Sequence, residues 1–445
     1  MNCAICRLVV ALLILSPVSG AAQEPLTLER AVQRALTYNA SLRAARAGVD
    51  EAAAHETEAR SGLFPRISLT DSWQRGDQPV FVFSSLLSAR RFAANNFAID
   101  ALNHPDPVGF FRTSLGVEQL VFDGGRQRSA ATAAALRRTH AEATSSEAAA
   151  AVAVATTRAF GRVLSSEAAR LAADAGTAAA TEDLARAERR RDAGLATDAD
   201  VLALAVHVAD VLQRRIQAEG DAAAARAELN RLMGSAVDQP VQAAEPSNAP
   251  LNEFGDQPKV TALLAEADAA RPELKRAAAS EQIAAAARRQ TRAALVPQVA
   301  AQAVIDISGT RFTGRASSWI VGGELRWTFS TGGAEVAAMK AAAASIARTR
   351  AEAEAVRAAV HAEVVTALSR VEAARARYTV SRTAVVQARE SQRIIRDRFE
   401  AGLAPVNDVL RASTSLLDAD ANRVTALVDT IVAAAMLQRA LGRTP

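Results

Sequence analysis

The sequence predicts a mainly α-helical protein with a membrane β part, built as a tandem duplication of long helical hairpins. Three observations predict it. One pattern recurs along the 445 residues at constant offsets, two very long stretches lack proline, and the aromatic residues crowd into short alternating segments between helices. At an offset of 232, Leu42, Arg60, Leu63 and Pro65 fall on Leu274, Arg292, Leu295 and Pro297. At an offset of 208, Gly124-Gly125 falls on Gly332-Gly333, Gly194-Leu195 on Gly402-Leu403, Asp200-Val201-Leu202 on Asp408-Val409-Leu410, and Gly234 on Gly442. Self-similarity at a fixed spacing is the mark of an internal repeat. The two offsets differ by 24, so the first copy carries an insertion of that length between Pro65 and Gly124. The expected organisation is a signal peptide at 1–22, a first repeat at 23–234, a linker at 235–258 and a second repeat at 259–445.

The chain opens with Cys3, Cys6 and Arg7, an apolar run from Leu8 to Leu15, and the small residues Ser19-Gly20-Ala21-Ala22. That order is the charged, apolar and cleavage pattern of a secretory leader. The chain has only these 2 cysteines, so cleavage after Ala21 or Ala22 leaves none for a disulfide, a thiolate metal site or a nucleophile. Lys+Arg of 52 against Asp+Glu of 48, spread without single-sign blocks, argues against a nucleic-acid partner. Beyond the leader no stretch approaches the ~18 apolar residues that a helical membrane span needs. Entry into a membrane therefore falls to β-strands.

Each repeat begins with an Ala/Arg/Glu-rich helix, over about Leu26 to Gly62 and Lys259 to Ala294, stopped by Gly62-Leu63-Phe64-Pro65 and Val296-Pro297. A pair of strands follows. Trp319, Val321, Gly323, Leu325, Trp327 and Phe329 alternate with Ile320, Gly322, Glu324, Arg326 and Thr328; Val299, Ala301, Ala303, Ile305 and Ile307 alternate with Gln298, Gln302 and Asp306. The first-repeat equivalents lie near Ile67 to Gln74 and Ser114 to Phe122, with Asp71 interrupting the apolar side. Ten of the 13 Phe and all 3 Trp fall between Phe64 and Phe122 or between Pro297 and Phe329. Segments of about ten residues, apolar outward and polar inward, are the pattern of a transmembrane β-barrel. After Gly125 and Gly333 come Pro-free helices reaching Ala193 and Ala401, each roughly 100 Å long at 1.5 Å per residue. Val360, Val364, Ala367, Val371, Ala374, Tyr378, Ser381, Val385, Ala388, Gln392, Ile395 and Phe399 mark a heptad seam on the second. Shorter return helices follow Gly194 and Gly402 and end at Gly234 and Gly442.

Four strands cannot close a barrel, and an open edge leaves backbone groups unsatisfied in hydrocarbon at several kcal/mol each. Several copies must therefore share one barrel, and two, three or more all satisfy closure. The chain holds no GxxxxGK[ST], GxSxG or HExxH, so phosphate-cradling, serine-hydrolase and zincin chemistries lack their starting residues. His55, His104, His140, His207 and His361 are scattered, and neither a metal site nor a cofactor site is expected.

The duplication, the Leu-x-Pro approach to each first strand, the Phe122-Asp123-Gly124-Gly125-Arg126 and Phe329-Ser330-Thr331-Gly332-Gly333 junctions, and the paired Gly-Leu-x(4)-Asp-Val-Leu turns resemble TolC-like outer-membrane efflux proteins over nearly the whole mature chain. The resemblance implies a homotrimer. Its 12-stranded β-barrel, four strands per chain, would lie in outer-membrane lipid and continue as an α-barrel tunnel through the periplasm. It further implies a passive, non-enzymatic channel that docks on a periplasmic adaptor and an inner-membrane pump and exports small molecules. A type I protein-secretion exit duct is the alternative within transport, and a trimeric coiled-coil stalk or adhesin the alternative outside it. Resemblance also places the periplasmic gate at the tip turns Gly194 and Gly402, with Asp200 matching a gate-closing link and Asp408 an entrance constriction. Arg411 stands where a second constriction acid is common, and Ala404 where a gate arginine occurs. Leu195, Val201, Leu202, Leu403, Val409 and Leu410 become adaptor contacts on the same ground, or else the seam between the helices of each hairpin.

Overall fold

The computed structural model describes residues 25–194, 196–244, 259–328 and 330–443. The leader, Leu195, Phe329 and most of the linker, on which several expectations fall, lie outside them. Described residues form two compact units, within Met1–Thr37, Ala155–Glu253 and Ala374–Val432, and within Tyr38–Val154, Phe254–Ala373 and Ala433–Pro445.

Each repeat opens on two helices where composition suggests one: α1 (Leu28–Tyr38) and α2 (Ala40–Ser61), then α7 (Val260–Ala270) and α8 (Pro272–Ala293) in the second copy. The breaks at Asn39 and Arg271 are themselves 232 residues apart. Asn39 takes an extended backbone, and its Oδ1 accepts from the backbone N–H groups of Ser41 at 3.0 Å and Leu42 at 3.3 Å, capping α2. In the second copy Pro272 excludes the helical conformation for the residue before it. Arg271 is buried, and its guanidinium donates to Glu363 at 2.6 Å, to Glu273 at 2.9 Å and to the Arg439 carbonyl at 2.9 Å.

The strands form one antiparallel sheet in the order β1 (Arg66–Gly76), β2 (Val108–Phe122), β3 (Gln298–Gly309) and β4 (Ala316–Arg326). β1 and β4 are its edges. The register sets Leu69, Leu115, Ile305 and Trp319 in one row, and Thr70, Ser114, Asp306 and Ser318 in the next. Alternation thus survives across all four strands, giving an apolar face and a polar one. Asp71 lies on the apolar face but does not stand alone. Thr113, its register partner, donates to it, Arg315 lies 3.9 Å away, and the Arg315 guanidinium stacks 4.4 Å over the Phe312 ring. Trp73 and Phe111 sit at one end of that face and Phe122 at the other. On β2 the eleven steps from Phe111 to Phe122, at ~3.4 Å each and tilted by ~40°, span about 28 Å, the height of an apolar band between aromatic girdles.

The inserted residues form α3 (Pro79–Ser88) and α4 (Ile99–Asn103), joined by a short 3₁₀ turn. Sheet-to-helix junctions use left-handed glycines. Gly124 has φ 66° and Gly125 φ 86°, and the Asp123 carboxylate accepts from the N–H groups of Gly125 and Gln127. A Cβ at Gly124 would overlap Val296 Cγ2, so only glycine fits.

The long helices are α5 (Arg126–Asp192) and α9 (Ala334–Glu400), each unbroken for 67 residues, with α6 (Asp198–Met233) and α10 (Val406–Ala440) as return helices. On α9 the seam positions Val360, Val364, Ala367, Val371, Ala374, Tyr378 and Val385 are buried, and the positions beyond Val385 are half-buried. The start of the linker is also structured. Leu26 and Ala243 form a parallel bridge, and Asn230 donates to the carbonyls of Val237 and Gln239. Among the described residues no helix is long and apolar enough to cross a membrane.

Candidate functional site

Two of the residues singled out at the hairpin turns, Val201 and Leu410, meet in one cluster. The ends of α5 and α9 and the starts of α6 and α10 share an apolar cluster of Leu184, Ala187, Val201, Leu204, Phe399, Val406 and Leu410. Both turns are built on glycine: Gly194 has φ 71° and Gly402 φ 76°, and a Cβ at either would touch nothing within 4 Å. Leu403 N–H bonds the Arg398 carbonyl and Gly402 N–H that of Phe399, which closes the last turn of α9 in a left-handed cap.

The duplicated aspartates diverge here. Asp200 is the third residue of α6, and its carboxylate accepts from the Thr197 N–H at 3.0 Å and hydroxyl at 2.8 Å while the Thr197 hydroxyl accepts from Asp200 N–H, a reciprocal capping box. These bonds, the backbone one first, hold the Asp200 carboxyl below its ordinary range. In the second turn Pro405 occupies the position of Thr197 and offers no hydroxyl. Asp408 lies in the first turn of α10, half-buried, and among the described residues its carboxylate makes no hydrogen bond or ion pair. Arg411, one turn on, is exposed.

Of the apolar candidates, Val201 and Val409 are buried and Leu410 half-buried, so they belong to the seam between helices. Leu202 and Leu403 remain 66% and 78% exposed. Leu195 lies outside the described residues.

Sequence reasoning missed a set of charges that fastens α5 to α9. Arg186 pairs with Glu400 at 2.9 Å, Arg396 with Asp183 at 3.4 Å, and Arg190 donates to the Phe399 carbonyl at 3.2 Å while stacking 5.2 Å from its ring. Arg189 joins them around a cleft of about 270 Å³. Partners more than 200 residues apart leave no local pattern, and single charges on a charged helix do not stand out.

No curated protein matches the chain by sequence. Solved structures share its fold. The CmeC outer membrane channel of Campylobacter jejuni superposes with a TM-score of 0.80 at 15% identity, covering 93% of this chain and 85% of that one. The outer membrane protein VceC of Vibrio cholerae gives 0.75 at 20%, covering 94% and 96%, and the open-state MtrE outer membrane channel of Neisseria gonorrhoeae 0.74 at 19%, covering 94% and 89%. The model of the outer membrane efflux protein family matches residues 31–235 and 263–443, taking in both repeats, both strand pairs and both tip turns. The chain therefore belongs to the outer membrane efflux protein family and is an outer-membrane efflux channel.

Proposed function

We propose that three copies close a 12-stranded barrel and form a passive, non-enzymatic duct that receives small molecules from an inner-membrane pump through a periplasmic adaptor. The sheet carries this reading. It has one apolar and one polar face, aromatic residues at both ends of the apolar face, and two edges, β1 and β4, that have no strand partner among the described residues. In a cyclic assembly β4 of one copy pairs with β1 of the next, and every backbone group in the hydrocarbon is satisfied.

The tips are the periplasmic entrance in this proposal. Asp408, unpaired among the described residues, would recur three times around the axis, and a ring of carboxylates at a narrowing concentrates cations. Arg411 offsets that field. Asp200 serves its helix start. Leu202 and Leu403 offer exposed apolar surface for the adaptor, and the Arg186–Glu400 and Arg396–Asp183 pairs hold the two hairpins together in the resting state. Planar-bilayer recording of purified protein tests the duct. Step conductances proportional to salt concentration are expected, and a protein that never conducts at any voltage or in any tip variant would refute it.

A further inference from the structure

The insertion carries a feature that the channel reading does not use. α3 packs against β2 and β3, and it does so on the polar face of the sheet. Phe81 meets the Phe110 ring edge-on at 6.4 Å and lies 3.7 Å from where a Cβ on Gly76 would be; Phe110 and Gly76 both belong to the face that carries Gln74, Arg112 and Ser114. In a membrane barrel that face lines the lumen. The insertion is thus folded inward, against the wall of the pore, instead of outward into water.

The helix has two sides. Val82, Ser85 and Ala89 are buried. Val80 and Leu87, about 150° around the helix from Val82, are 74% and 50% exposed. With the buried side against the wall and its flanking segments, Val80 and Leu87 lie on the side left uncovered within the chain. Phe83, Phe92 and Phe97 stack in series at 4.6 and 5.0 Å and stiffen the insertion behind it.

Two arginines pin this arrangement to the other hairpin. Arg90 donates to the Ser317 carbonyl at 3.0 Å and Arg91 to the Thr310 hydroxyl at 2.6 Å. Arg90 does this from a left-handed backbone, φ 54°, the one non-glycine positive φ among the described residues. It ends α3 in a position where glycine is the usual residue, with Arg90 N–H on the Leu87 carbonyl and Arg91 N–H on that of Leu86. An arginine there carries backbone strain that glycine would not. Glycine would remove the strain and with it the guanidinium.

We propose that α3 is a luminal collar: three copies bring Val80 and Leu87 together at the extracellular mouth as an apolar constriction, latched by Arg90 and Arg91, which favours narrow or apolar cargo and retards bulky hydrated solutes. The proposal rests on the trimeric channel reading above. A 12-stranded barrel lies between 8 strands, whose interior side chains fill, and 16, which leave an open channel; three inward helices of roughly 10 Å diameter leave little room between them. Apolar constrictions of this kind gate by dewetting.

The substitution Gln302→Cys, on the polar face of β3, tests both levels. It is introduced in the full chain, alone, with Arg90→Gly and Arg91→Ser, and with Leu87→Asp, and intact cells are treated with a small impermeant maleimide or a bulky polyethylene-glycol maleimide. The small reagent is expected to reach the introduced thiol in every variant. The bulky one should react at least about tenfold more slowly in the latched protein than in the Arg90→Gly, Arg91→Ser variant, and Leu87→Asp should speed the small charged reagent by wetting the collar. Equal rates for the bulky reagent in latched and unlatched protein overturn the collar and leave the channel standing. Failure of even the small reagent to reach the introduced thiol in the unlatched variant overturns the luminal assignment of the polar face, and the channel reading with it.

Discussion

Asp200 and Asp408 follow their turn glycines by the same interval, and the residue three places before each separates their chemistry. Thr197 supplies a hydroxyl and an N–H to Asp200; Pro405 supplies neither. Thr197→Ala should therefore cost ~1 kcal/mol of stability, read from chemical denaturation. The Asp200 carboxyl is held below its unfolded range, so its contribution is complete above the unfolded pKa and is lost as pH falls through the lower, folded one. Melts from neutral pH down to about pH 3 should show Asp200→Asn trailing the parent protein at neutrality and converging with it in acid. For Asp408 the expectation is electrical. Asp408→Asn should lower cation selectivity and weaken block by multivalent cations, Arg411→Asp should strengthen both, and identical reversal potentials in all three proteins would remove Asp408 from the entrance. Both aspartates are visible in the duplicated turns. Their difference is legible too, in a Thr-x-x-Asp start against a Pro-x-x-Asp one, but shared spacing is a louder signal than capping.

The elements show where periodicity suffices and where it does not. The α9 seam is readable because burial there follows one helix face, whatever the partner. The breaks at Asn39 and Arg271 are not: the flanking Ala, Arg and Glu read as one continuous helix, and a single capping Asn or a Pro at the first position of the next helix changes direction without changing composition. In the insertion, four clustered Phe and two Arg suggest a loop over the barrel mouth, while α3, too short for periodicity to declare, emerges only from packing on the sheet. The loop's side is checked by Asn95→Cys, which an impermeant maleimide should label on intact cells, with Gly194→Cys protected; the opposite pattern would invert the topology. The two glycines of the first junction should respond unequally. Gly124→Ala forces a Cβ into Val296 and should exceed the ~1–2 kcal/mol of left-handed strain, whereas Gly125→Asn, with nothing near its Cβ, should cost less than that. At the tips Arg186–Glu400 and Arg396–Asp183 are partly exposed to water, and ion pairs so screened are worth about 1 kcal/mol or less each. Asp183→Asn and Glu400→Gln together should thus raise the open fraction in bilayers more than either alone, with the fold intact.

At the scale of the molecule, native mass spectrometry in detergent should report three copies, and a stable monomer would dismantle the proposed barrel. The two unpaired edges also shape how the protein reaches that state. A newly exported chain carries β1 and β4 open in an aqueous compartment, each offering eleven residues of backbone to any other strand it meets. Productive joining needs two encounters in one rotational sense and then closure of the third seam, and its rate climbs steeply with the concentration of free subunits; off-pathway pairing of the same edges climbs as well. Yield should therefore peak at an intermediate rate of synthesis: slower supply leaves subunits to proteases, and faster supply drives them into sheet aggregates.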